Sequence, residues 1–197
     1  VTKFPIIDAF LSVPREKFVP DGKREAAYIG ENFQIGQSRV LLDPRTLAKL
    51  LDALDIHNDE SVLDIGSGLG YSSAVISLIA EVVIAVEEDS ILASEAEEIL
   101  SEVGADNVVV QCSKLEDGAP EHGPYDVIIL QGGVEKIPVS ILKQLKNGGR
   151  IGAIFIHEGL GTAKIGFKLN EKINWRYSFN AAAPVIPGFF KQKDFAL

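Results

Sequence analysis

Residues 62–73, Val-Leu-Asp-Ile-Gly-Ser-Gly-Leu-Gly-Tyr-Ser-Ser, narrow the possible folds more than any other stretch of the chain. An apolar run from Ser61 to Ile65 carries one acid, Asp64, and leads into three glycines at alternate positions, Gly66, Gly68 and Gly70. Ala74 to Ile79 then reads as a helix. Strand, glycine turn and helix in this order bring a nucleotide-like ligand to a helix start in doubly wound α/β folds. The glycines permit positive φ and let backbone approach a ligand with no Cβ between them. Val82 to Val86 is a second buried-strand run that ends in Glu87-Glu88. A carboxylate at the tip of the second strand, about 20 residues past the loop, suits a two-point grip on ribose hydroxyls.

The spacing separates two kinds of cofactor. A dinucleotide fingerprint needs G-x-G-x-x-G, and its third glycine would fall at Tyr71. The chain instead has D-x-G-x-G-x-G, which resembles the first motif of class I S-adenosylmethionine-dependent methyltransferases. Asp64 stands where it could meet a cationic group or orient the loop amides. The resemblance implies that Asp64, Gly66, Ser67, Gly68, Leu69, Gly70, Glu87 and Glu88 hold S-adenosylmethionine. An NAD-binding dehydrogenase is the more distant reading, and a binding comparison of the two cofactors separates them.

Composition excludes several partners. Lys and Arg total 19 against 28 Asp and Glu, a formal charge of −9, whereas nucleic-acid binding depends on clustered cations. The basic groupings Lys23-Arg24 and Lys191-Gln192-Lys193 are small, so no nucleic acid is expected as a partner. The longest apolar candidate, Ala74 to Val86, is interrupted by Glu81 and falls short of the ~18 residues of a membrane span. The single cysteine, Cys112, fits a reducing cytoplasm, and no signal peptide is visible. His57, His122 and His157 lack metal-ligand spacing, so no metal is expected. The chain opens at Val1 and has no methionine, so it is expected to be part of a longer gene product.

Helical spacing runs from Phe4 to Val19, and residues 20–38 read as irregular. Asp43-Pro44 is a helix start, with Leu47, Leu50, Leu51 and Leu54 on one face up to Ile56. From there the pattern alternates. Strands are expected at 61–65, 82–86, 107–112, 125–130 and 150–155, with helices at 70–79, 90–103 and 138–146. Thr162 to Leu169 and Lys172 to Phe179 read as an antiparallel hairpin around Asn170-Glu171. The expected fold is α/β and Rossmann-like: a doubly wound, mostly parallel sheet with helices on both faces and a C-terminal antiparallel hairpin. One domain is expected over 1–197, a helical and irregular cap at 1–58 and a Rossmann-like core at 59–197.

Further motifs carry a narrower resemblance. Val13-Pro14-Arg15-Glu16-Lys17-Phe18-Val19-Pro20, Ala27-Tyr28 and Ile35-Gly36-Gln37 are similar to the N-terminal region of protein-L-isoaspartate O-methyltransferases. Pro124 to Ile129, Ile137-Pro138 and Leu142 to Arg150 resemble that family's later motifs. The resemblance implies methyl transfer from S-adenosylmethionine to the α-carboxylate of isoaspartyl residues in damaged proteins. A carboxylate is already ionised at neutral pH, so this chemistry needs no general base.

The chain departs from the family pattern twice. Aligned on Pro44, the usual serine at the reaction centre is Leu42. This leaves Ser38 and Gln131 as candidates for the transfer pocket and the catalytic residue unassigned. After the third strand, Ser113 falls where the family carries an acid against the adenine amine. Two other readings therefore stay open: a family offshoot that methylates another substrate, and a cofactor-binding module without catalysis.

Overall fold

The computed structural model describes residues 1–20 and 22–191; Gln192 and Lys193 of the terminal basic grouping lie outside them. The chain runs α1 (Phe4–Ser12), β1 (Phe33–Gly36), β2 (Arg39–Leu41), α2 (Pro44–Leu54), β3 (Ser61–Ile65), α3 (Tyr71–Ser77), β4 (Val82–Glu87) and α4 (Ser90–Glu102). It continues as β5 (Val108–Cys112), β6 (Tyr125–Val134), α5 (Val139–Lys143), β7 (Leu145–His157), β8 (Leu160–Leu169) and β9 (Lys172–Asn180). Seven strands form one sheet in the order β5-β4-β3-β6-β7-β8-β9. The five from β5 to β7 are parallel, and β8 and β9 extend the sheet as an antiparallel meander.

The central strands are parallel because they are apolar on both faces. Val62, Val83, Val127 and Ile129 face one core with residues of α1, α2, α3 and α4, while Leu63, Ile65, Ile84, Val86, Ile128 and Leu130 face the other. The second core is covered by Ile141 of α5 and by Ile186 and Phe189 of the tail. The apolar stretch after β9 thus packs as core: Gly133 donates to the Pro184 carbonyl (2.8 Å) and accepts from the Ile186 amide (3.0 Å) in a parallel bridge with Val185, and Phe189 is fully buried.

Several boundaries move for local reasons. The first helix ends at Ser12, because Val13 precedes proline and takes an extended backbone (φ −94°, ψ 114°). A 3₁₀ turn follows at Arg15–Phe18. The stretch expected to be irregular contains β1, which pairs with β2 in a two-stranded hairpin of its own. The expected helix 138–146 shortens to α5, since the Tyr125 amide bonds the Gln144 carbonyl (2.7 Å) and the chain leaves in β7 beside it. α2 begins as its sequence indicates, with Asp43 accepting from the Thr46 amide at 2.9 Å and Pro44 in the first turn.

One ion pair ties the layers together. Arg150 on β7 donates to both carboxylate oxygens of Glu60 (2.6 and 2.7 Å) and to the carbonyls of Leu54 and Asp55. This hydrogen bonding holds the Glu60 carboxyl below the usual carboxylate range. Its stabilisation is therefore complete above the ordinary value of about 4.3 and fades as pH falls through the lower folded value. Glu60→Gln should cost about 1–3 kcal/mol at pH 7, with the gap to the parent closing in acid. Urea unfolding at several pH values measures this, and a gap unchanged by acid would contradict it.

Candidate active site

The register sets out the site. Ile65 pairs with Val86 on one side and Leu130 on the other, so β3, β4 and β6 reach the carboxyl edge level with one another. The next residues, Gly66, Glu87 and Gln131, stand there side by side. β3 is also where the strand order reverses, which places a crevice at its end.

The glycine loop lies directly on this edge. Gly66, Gly68 and Gly70 have φ of 82°, 58° and 91°, a region that L side chains rarely adopt. The amides of Gly66 and Ser67 both donate to the Val86 carbonyl (2.8 and 3.2 Å), which anchors the loop to β4. At Gly70 a Cβ would also meet Leu100 at 3.0 Å, so α4 packs against the loop.

Asp64 is fully buried below the loop. One of its oxygens accepts from the hydroxyls of Ser72 and Ser73 (both 2.6 Å), and the other from Nε2 of Gln131 (2.7 Å). Burial pushes its carboxyl up, opposed by these three hydrogen bonds and by the nearby Arg39 charge. The acid thus joins the end of β3, the first turn of α3 and the end of β6.

Glu87 is fully buried at the tip of β4. One oxygen accepts from the amides of Glu88 and Asp89 (3.0 and 3.1 Å), and the other from the Gly68 amide (2.8 Å). That second oxygen also pairs with the guanidinium of Arg39, which reaches over from β2 and is 5% exposed. Nε and Nη1 of Arg39 have no hydrogen-bond partner. Nη1 lies 3.1 Å from where a Cβ on Gly66 would be, and the end of Ile35 stands where a Cβ on Gly68 would be.

The residues expected at the site fall into three groups. Asp64, the loop Gly66 to Gly70, Glu87 and Gln131 are brought together, with the buried Ser67 hydroxyl unpartnered and Leu69 in the first core. Glu88 is exposed, and Ser113 donates to the Gly118 carbonyl (3.1 Å) while its amide bonds the Glu87 carbonyl. Ser38 sits exposed at the tip of the β1–β2 hairpin with φ 55°. Leu42 is buried, its carbonyl held by the buried Arg15, whose guanidinium also stacks on Tyr71. Arg39 was not singled out by the sequence reading. Its signal was a lone cation entering the apolar run Val40-Leu41-Leu42. Among the described residues no cluster of His, Cys, Asp and Glu could hold a metal, and no helix is long and apolar enough to cross a membrane.

A family model described as protein-L-isoaspartate(D-aspartate) O-methyltransferase matches residues 1–165. The chain belongs to this family. A protein-L-isoaspartate O-methyltransferase of Syntrophus aciditrophicus is 32% identical over 170 residues, 84% of this chain and 78% of that protein. Protein-L-isoaspartate O-methyltransferase 2 of Pelobacter propionicus is 38% identical over 146 residues, 74% of this chain and 65% of that protein. A solved protein-L-isoaspartate O-methyltransferase superposes with a TM-score of 0.85 at 26% identity, covering 94% of this chain and 62% of that one. A Plasmodium falciparum structure in complex with S-adenosyl-L-homocysteine superposes with a TM-score of 0.80 at 17% identity, a likeness of fold. This member of the isoaspartyl methyltransferase family thus spans from 60% to 78% of the lengths of curated relatives that it matches.

Proposed function

We propose that the chain transfers a methyl group from S-adenosylmethionine to the α-carboxylate of L-isoaspartyl residues in damaged proteins, in the cytoplasm. The observation that carries this reading is the level meeting of Glu87, the glycine loop and Asp64 at the point where the strand order reverses. The framework fits the cofactor. The Glu87 carboxylate accepts from the loop amide of Gly68, and its two oxygens suit two ribose hydroxyls once Arg39 yields. Gly66 and Gly68 leave room for a ligand against the backbone once Ile35 and Arg39 withdraw. The cap at 1–58 and the core at 59–197 act as one catalytic unit in this reading.

When bound, S-adenosylmethionine supplies an electrophilic methyl on a sulfonium, which a carboxylate oxygen takes as the C–S bond's electron pair passes to sulfur. The chain's own residues then have positioning tasks. Glu87 fixes the ribose end, and the Asp64 ring with Ser72, Ser73 and Gln131 keeps the loop, α3 and β6 in register. The cap closes the far side through Arg15, which ties Ala27, Leu42 and Tyr71 together. No side chain has to remove a proton, because the nucleophile is already an anion. Alignment of the reacting atoms supplies the acceleration.

Buried, apolar Leu42 at the family's serine position favours a second reading, a changed substrate with the cofactor retained. Methyl transfer from tritiated S-adenosylmethionine to an isoaspartyl peptide and to its aspartyl twin tests both. Base-labile label on the isoaspartyl peptide alone supports repair chemistry. Cofactor binding with neither peptide labelled supports the changed substrate and contradicts the repair reading.

A further inference from the structure

The cofactor cradle is filled by the chain's own β1–β2 hairpin. Arg39 takes an oxygen of Glu87, the carboxylate proposed to grip the ribose, and Ile35 stands over Gly68. Buried polar atoms are nearly always partnered, yet Nε and Nη1 of this guanidinium are not. Such a contact holds by one charge pair and is easily exchanged for a better one. The hairpin is a unit of its own in its hydrogen bonding. Among the described residues its strands form ladder hydrogen bonds only with each other, while Leu41 of β2 packs into the first core and β1 is less buried. Its base is tied down by Asn32, which donates to the Ala182 carbonyl (2.6 Å) and accepts from the Asp43 amide (2.9 Å). The tip at Gln37-Ser38 is exposed.

Resting on the cofactor assignment above, we propose that the β1–β2 hairpin is a latch: Arg39 and the cofactor's ribose compete for Glu87, and the cofactor enters by displacing Arg39. Charge supports the exchange. A guanidinium in the cradle balances Glu87 when the site is closed, and it must leave before a sulfonium approaches the same cavity. Binding to a protein that rests closed is weakened by the fraction of molecules that are open. A chain closed about nine times in ten thus binds about tenfold more weakly than one held open.

The test uses Arg39→Gln, with Ile35→Ala as a second variant that leaves the charges in place. Hydrogen exchange is measured on the ligand-free proteins, and S-adenosyl-L-homocysteine binding by calorimetry. The latch predicts that Arg39→Gln speeds exchange of the amides in residues 33–41 and of Gly68, and tightens binding by about tenfold. Ile35→Ala should move both in the same direction by less, and it carries the test alone should Arg39→Gln fail to fold. Unchanged exchange in the variants overturns the latch whether or not any ligand binds. Faster exchange with weaker binding makes Arg39 a cofactor ligand and overturns the competition. Faster exchange with no binding by either variant or parent sinks the cofactor assignment and leaves the closed hairpin intact.

Discussion

Glu87→Gln should weaken S-adenosylmethionine binding by about a hundredfold or more. Hydrogen bonds to a charged group contribute about 1.5–3 kcal/mol each, and a ribose offers two hydroxyls to this carboxylate. Glutamine keeps one acceptor oxygen and turns the other into a donor. That donor faces either the Gly68 amide, which now donates to one oxygen at 2.8 Å, or the Glu88 and Asp89 amides, which donate to the other at 3.0 and 3.1 Å. The ligand-free protein should also lose stability. Arg39 loses its counter-charge and leaves the cradle, so this loss is limited to about 1.4 kcal/mol, the value of a roughly tenfold closed-to-open ratio. Calorimetric titration at a temperature where the variant is folded separates the two effects. Unchanged affinity would move the ribose grip away from Glu87.

Asp64→Ala should destabilise the fold itself by about 3 kcal/mol or more. Ser72, Ser73 and Gln131 are all buried and all donate to this carboxylate, so truncation strands three donors. Each stranded donor costs about 1–3 kcal/mol, against a total stability of about 5–15 kcal/mol for a domain. Asp64→Asn should be far milder. Its oxygen can face Gln131 and its amide can face the serines, whose hydroxyls accept as readily as they donate. Burial already disfavours the ionised acid, so removing the charge brings some relief. Denaturant midpoints of the two variants give the comparison. An alanine variant as stable as the parent would show that the ring around Asp64 holds nothing together. Should Asp64→Asn keep its stability and lose the cofactor, the charge of Asp64 serves binding as well as architecture.

The parts of this molecule that were legible beforehand are those governed by local pattern. β3, the glycine loop and β4 each announce themselves within a few residues, through apolar runs and alternate glycines, and the hairpin of β8 and β9 through its turn at Asn170, with φ 56°. The strand-end acids followed from the same pattern, since a strand's length fixes which residue reaches the edge. What stayed hidden depends on side chains that meet across distance. The partners of Asp64 lie 8, 9 and 67 residues away, and nothing in the sequence says that they converge on one carboxylate. Arg39 crosses 48 residues to reach Glu87 from a hairpin whose strands span only four and three residues. The glycines around that hairpin made the region read as loop. The seat of the apolar tail against Gly133 stayed hidden for the same reason, a meeting across distance.

The most direct measurement is a crystal structure of the chain with S-adenosyl-L-homocysteine. The account predicts ribose hydroxyls on the Glu87 carboxylate and the adenosyl group against Gly66 and Gly68. Arg39 and Ile35 should be withdrawn from the cradle, with Asp64 still bonded to Ser72, Ser73 and Gln131. A ligand seated away from the carboxyl edge, with the Arg39–Glu87 pair intact, would contradict it.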